Sequence, residues 1–246
     1  MKLLIDVGNT RLKWALWDGA AVAPAQALDH AADLAPQLDD AWAALPDVDE
    51  VRLACVASAA VETTVAAAVR RRFGRAPRLA RSRAVLAGVR CAYAHPEKFG
   101  IDRYLALVAL HRMRPTATVL ASVGTALTLD ALGADGTHAG GLIAPGPALA
   151  QQALVGATAR VRTAAQAALV EMADDTEAAV HSGCWLGAVA LVERFHAQAA
   201  RALGGVPRLI LAGGDGALLR PHLAREAQYE PDLVLRGLGI DAVFAD

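Results

Sequence analysis

The chain has few aromatics, few cysteines, no long apolar run and no excess of one charge. Aromatic residues make up 4% of its 246 residues, so its cores must rest on Leu, Val, Ile and Ala. The three cysteines, Cys55, Cys91 and Cys184, stand far apart with no CxxC pair. That spacing excludes a disulfide framework and argues against structural zinc; buried free thiols in a reducing cytosol are expected. The longest apolar run, Cys184–Val192, stops at Glu193, well short of the roughly 20 residues a membrane span needs. At the N-terminus Lys2 is followed by only three apolar residues before Asp6, which is no signal peptide. These features point to a soluble, cytoplasmic protein with no membrane partner. Lys and Arg number 24 against 25 Asp and Glu, and this balance argues against direct nucleic-acid binding. Arg70, Arg71 and Arg72, followed by Arg75, Arg78, Arg81 and Arg83, read as a solvated helix end and loop, with anion contact as the alternative. The seven histidines show no metal-ligand spacing and read as structural or surface residues, His181 being the one nearest a candidate site.

What is present is a largely apolar chain, 55% hydrophobic, long enough for one large domain or two smaller ones. Residues 2–7 and 11–17 read as strands joined by the polar turn Gly8-Asn9-Thr10, a β-hairpin. The same pattern returns at residues 118–123 and 126–132 around Gly124-Thr125. Between the copies, residues 51–57 read as a buried strand, 60–73 as a helix capped by Ser58, and 102–114 as a helix stopped by Pro115. A third strand and a Gly-Pro loop follow at 140–147, then mostly helix over 147–200, and a strand at 207–212 running into Gly213-Gly214-Asp215-Gly216 and a helix. The repeat predicts two α/β halves, residues 1–114 and 115–246, with a small-molecule cleft between them.

The glycine turns suggest phosphate binding. Glycine lets backbone N–H groups approach an anion closely, and Asn or Thr side chains add donors. A carboxylate beside such a turn makes sense if a divalent cation is held against the phosphates. Asp6, Gly8, Asn9 and Thr10 then form one unit, with magnesium on Asp6 and Lys13 adding positive charge if its side chain faces the turn. Gly124 and Thr125 form a second cradle, and Gly213-Gly214 offers flat backbone for an adenine or ribose. The alternative for each is an ordinary turn. In Gly100-Ile101-Asp102-Arg103, Asp102 stands at a helix N-terminus, either as a base for an alcohol acceptor or as a helix-stabilising group.

Six segments carry a family likeness: DVGNTRLKWAL at 6–16, GIDRYLALVA at 100–109, SVGTALTLDAL at 122–132, GGLIAPG at 140–146, TEAAVHSGCWLG at 176–187 and LAGGDG at 211–216. Together they run from end to end, and the chain resembles the type III pantothenate kinases of the acetate and sugar kinase, Hsp70 and actin superfamily. The resemblance implies two actin-like (ribonuclease H-like) domains, ATP and Mg2+ in the cleft, a homodimer, and phosphorylation of pantothenate to 4'-phosphopantothenate, the first step of coenzyme A synthesis. It assigns Asp102 as proton acceptor and residues Asp6, Val7, Gly8, Asn9, Thr10, Arg11, Leu12, Lys13, Gly124, Thr125, Gly213 and Gly214 to ATP. It assigns Tyr93, Gly100, Ile101, Arg103 and Thr176 to pantothenate. Thr176 otherwise reads as the cap of the helix that follows. One position departs from the pattern. Many members have an aspartate, which helps bind a monovalent cation, where this chain has Ser122; a requirement for potassium, or ammonium in its place, is therefore open. The rivals are another kinase or phosphatase of the same superfamily and a non-enzymatic regulatory accessory factor of the same fold.

Overall fold

A computed structural model describes residues 1–30, 33–158 and 168–245. The chain divides into two compact units. One comprises Met1–Arg114 with Asp232–Asp246, and the other Pro115–Pro231.

In the first unit the chain runs through β1 (Lys2–Val7), β2 (Arg11–Trp17), β3 (Gln26–Asp29), α1 (Leu34–Ala43), β4 (Glu50–Cys55), α2 (Ala59–Phe73), β5 (Arg78–Leu79), the small hairpin β6 (Val85–Leu86) and β7 (Val89–Arg90), and α3 (Ile101–Met113). The sheet order is β3-β2-β1-β4-β5. β1 pairs antiparallel with β2 and parallel with β4. Leu3, Leu4 and Ile5 are all fully buried, as a central strand covered on both faces requires. On one face Leu3 and Ile5 pack with α1 and α2 through Leu38, Trp42, Val65 and Val69. α2 starts where Ser58 Oγ accepts the N–H of Val61, and ends at Gly74 in the left-handed region, with Arg70, Arg71 and Arg72 in its last turn. Sequence-legible caps and a favourable dipole thus bound this helix.

In the second unit β8 (Thr118–Val123), β9 (Ala126–Leu132) and β10 (His138–Pro145) are followed by α4 (Pro147–Ala157), α5 (Thr176–Ala202), β11 (Arg208–Ala212), α6 (Gly216–Leu219) and β12 (Gln228–Tyr229). Its sheet order, β10-β9-β8-β11-β12, repeats that of the first unit strand for strand, with the same antiparallel and parallel pairings. The duplication expected from two hairpins is thus a duplication of whole five-stranded sheets. Part of the helical stretch expected over 147–200, residues 159–167, lies outside the described residues; α4 and α5 account for the rest except residues 158 and 168–175.

The end of the chain departs from the expected halves. The last helix, α7 (Leu233–Gly239), packs on α3 and β1, so the segment from Asp232 belongs with the first unit rather than with residues 115–231. Leu233, Leu235 and Leu238 are buried there. Arg52 on β4, only 2% exposed, donates to the carbonyls of Leu238 (2.9 Å) and Gly239 (3.1 Å), two acceptors that a helix end leaves unsatisfied. It also meets Glu50 (3.1 Å) and Asp241 (2.5 Å) and lies 4.7 Å from the Phe244 ring centre. The basic stretch after residue 70 is likewise taken up internally. Arg71 pairs with Asp39 and Arg81 with Glu62, each at 2.9 Å; Arg78 reaches Glu50 (3.0 Å) and the Phe244 carbonyl (2.7 Å). The three cysteines are free, as expected, but half-buried rather than buried. Among the described residues no helix is long and apolar enough to cross a membrane.

Candidate active site

In the first unit, the site begins at the C-terminal end of β1. Asp6 and Lys13 are direct cross-strand partners, as are Val7 and Leu12. The Gly8 N–H donates to the Arg11 carbonyl (3.0 Å) and the His30 N–H to that of Thr10 (2.8 Å), which holds the turn closed between them. Val7 and Leu12 are fully buried, so their side chains belong to the core and only their backbone borders the turn. Asn9 and Thr10 are exposed. Arg11 is spent on an ion pair with Asp29 (2.8 Å). Lys13, opposite Asp6 across the hairpin, is close enough for its charge to act on that carboxyl.

Asp6 keeps some contact with solvent yet lies deep among protein atoms. Burial, and then the negative charge of Asp102, push its carboxyl up from 3.8 to about 7, with Lys13 opposing. Two carboxylates distant in sequence are thereby brought within electrostatic reach, one on the glycine turn and one on the first turn of α3. Asp102 curls back over the helix start, where a Cβ on Gly100 would lie 2.7 Å from its Oδ1. Its neighbour Ile101 is buried in the core.

Beside Asp102, Arg103 is only 6% exposed. Its Nη1 donates to the Tyr93 hydroxyl (3.2 Å), and its guanidinium lies 4.8 Å above the centre of the Phe99 ring. Tyr93 and Phe99 are themselves in contact, ring centres 4.9 Å apart. Tyr93, Asp102 and Arg103 are thus gathered around the start of α3. Phe99 was not singled out from sequence, because one apolar residue before a helix carries no signal of its own.

The second unit presents a cluster of converging backbone. The Gly124 N–H donates to the Ala126 carbonyl (3.1 Å), the counterpart of the Gly8 bond. The Gly146 N–H donates to the Thr125 carbonyl (2.9 Å), and a Cβ on Gly146 would lie 1.9 Å from the Gly124 oxygen. Gly213, at φ +81°, is as tightly placed, since a Cβ there would lie 2.2 Å from the Val123 carbonyl oxygen. The Asp215 N–H donates to that same carbonyl (3.1 Å) and the Tyr229 hydroxyl to the Gly213 carbonyl (2.9 Å). Gly124, Thr125, Gly213 and Gly214 therefore belong to one loop cluster, and Gly146 completes it. The sequence pointed to Gly146 only as part of a turn; its close approach to Gly124 could not be read along the chain. Ser122, half-buried on β8, pairs across the hairpin with Thr128.

Thr176 is exposed in the first turn of α5, and the cap is Asp175, whose Oδ1 accepts the Ala178 N–H (2.9 Å). Helix capping is thus not its role. His181 packs against Trp185 and Gln151. Among the described residues no three His, Cys, Asp or Glu side chains gather as a metal-binding group.

The family model for type III pantothenate kinase matches residues 2–198. The chain belongs to the type III pantothenate kinase family. A type III pantothenate kinase from Xanthomonas campestris pv. campestris (strain B100) is 42% identical over 235 residues, covering 96% of this chain and 94% of the relative. Among solved structures, a Baf family transcriptional activator from Campylobacter jejuni superposes with a TM-score of 0.65 at 20% identity, covering 96% and 94% of the two chains. MreB 5 of Spiroplasma citri, bound to AMPPNP, superposes at 0.53 with 8% identity, covering 96% and 94%. At such identities these two support the actin-like fold alone. For a type III pantothenate kinase, the duplicated sheets and the two glycine clusters are the expected frame.

Proposed function

We propose that this chain transfers the γ-phosphoryl group of ATP to the primary hydroxyl of pantothenate, giving 4'-phosphopantothenate and ADP. The observation that carries this reading is the approach of Asp6, on the glycine turn, to Asp102, at the start of α3: one carboxylate for the phosphate side and one for the acceptor. Membership of the family supplies the acceptor's identity.

Asp102 accepts the proton of the attacking hydroxyl while that oxygen bonds to the γ-phosphorus and the bond to the ADP oxygen breaks. Phosphoryl transfer passes through a loose transition state, so Asp102 acts more by orienting the hydroxyl than by basicity. Asn9, Thr10 and the N–H groups of their turn are assigned to the phosphates, as are Gly124 and Thr125, with Lys13 adding charge. Gly213 and Gly214 are assigned to the nucleoside. Arg103 and Tyr93 are assigned to the acceptor's carboxylate end, and Thr176 to the same substrate. A cation fits beside Asp6, because a carboxyl raised by burial and by a second carboxylate is short of positive charge. Magnesium commonly binds one or two carboxylates and completes its shell with phosphates and water. Asp6 would hold it, and it would supply charge against the triphosphate. Ser122 offers a hydroxyl but no charge, so little loss of rate is expected when sodium replaces potassium. The same reading includes a cytoplasmic homodimer, for which Leu142 and Ile143, 47% and 63% exposed on β10, offer apolar surface.

ADP release in a coupled assay tests the proposal, with pantothenate, a hexose or no acceptor. Turnover that requires pantothenate is expected. Turnover with the hexose alone would assign another acceptor, and none with any acceptor would point to a regulator rather than an enzyme.

A further inference from the structure

Arg103 is a long side chain that must be aimed. An arginine loses rotamer freedom when fixed, so a site that uses one gains by holding it beforehand. Here the Phe99 ring supports the guanidinium plane at 4.8 Å and Tyr93 accepts one of its N–H groups at 3.2 Å. Phe99 is itself fixed on several sides. It is 2% exposed, its ring contacts those of Tyr93 at 4.9 Å and Tyr104 at 5.2 Å, and its carbonyl accepts the Ser82 hydroxyl at 2.6 Å. Tyr104 is anchored in turn by donating to the Val89 carbonyl at 2.7 Å. An aliphatic residue at position 99 would fill the volume but offer no π face to a cation.

We infer that Phe99 is a positioning residue that aims the Arg103 guanidinium at the carboxylate of the acceptor, and so sets selectivity for an acidic over a neutral acceptor. This rests on the pantothenate reading above and adds to it a residue that touches no reacting atom.

The test is initial-rate kinetics on the full chain and its Phe99→Leu and Phe99→Tyr variants. Phe99→Leu is expected to raise the KM for pantothenate roughly two- to thirty-fold, the range a lost cation–π contact spans. The KM for ATP and kcat should stay within about two-fold, and Phe99→Tyr, which keeps the ring, should restore the KM. With an analogue whose carboxylate is reduced to an alcohol, used as substrate or as competing inhibitor, wild type and Phe99→Leu should be alike. If Phe99→Leu does not fold, Phe99→Met keeps the bulk without the ring and provides the same comparison. An unchanged pantothenate KM, an equal rise for the alcohol analogue, or a fall in kcat at constant KM would overturn the inference, the last because it marks a merely structural role. A wild type without pantothenate-dependent turnover would instead overturn the reading on which the inference rests, and the inference with it.

Discussion

At the scale of single residues, Asp6 shows what assembling the site costs. Its pKa rises from 3.8 to about 7 through burial, the nearby charge of Asp102, and the incomplete compensation of Lys13. The unfolded chain releases this proton near pH 4 and the folded chain near 7, so between those values the folded state binds more protons. Stability of the ligand-free protein therefore declines as pH rises through that window. Asp6→Asn removes the penalty. Urea denaturation without ATP or magnesium should show the variant more stable than wild type at pH 8, by on the order of 2 kcal/mol. The advantage should shrink as pH falls toward 4, and a variant no more stable at pH 8 would show that Asp6 is not strained. The motif DVGNT was legible in the sequence, because a carboxylate beside a glycine turn is unusual chemistry. The influence of Asp102, 96 positions away, was not, since only the fold brings its charge within reach of Asp6.

At the scale of elements, the loops of the second unit are set by backbone approach rather than by side chains. Gly146 is packed so closely that a Cβ would lie 1.9 Å from the Gly124 oxygen. Gly146→Ala should therefore push the Gly124-Thr125 turn away and cost about 1–3 kcal/mol by overpacking. It should raise the KM for ATP several-fold more than that for pantothenate. Thermal melts and initial rates would check this, and a variant with unchanged ATP KM would detach the turn from nucleotide binding. Elements with local signals were legible. α2 has its Ser58 cap and Gly74 stop, and both hairpins show largely apolar strands around a polar turn. α1 was not read as a helix, because Pro36 sits in its first turn and its N-cap position, Asp33, makes no capping bond. α7, with Leu233, Leu235 and Leu238 around Gly237 and Gly239, has a helix-breaking composition and is held by tertiary contacts that overrule local preference.

At the scale of the whole molecule, duplication was visible in the hairpins and proved to extend to the strand order of both sheets. The path of the last fifteen residues was not visible, because it depends on Arg52. A charge in a buried strand is anomalous until its partners are known, and they lie nearly 190 positions onward at Leu238, Gly239 and Asp241. Asp241 answers with a carboxyl held down to about 2 by its hydrogen bonds to Lys2 and Arg52. Arg52→Ala would leave two helix-end carbonyls without their donor and should cost about 3 kcal/mol. It should also speed carboxypeptidase trimming of the chain end, and trimming at the wild-type rate would refute the latch. Phosphoryl transfer by this chain, with Asp102 receiving the acceptor's proton, is the central proposal. The most direct measurement follows label from γ-labelled ATP into pantothenate for wild type and Asp102→Asn, with ATP affinity measured on both proteins. Wild type should give labelled 4'-phosphopantothenate, and the variant a rate lower by about 10²–10⁴-fold with equal ATP affinity; wild-type transfer by Asp102→Asn would rule out Asp102 as the proton acceptor.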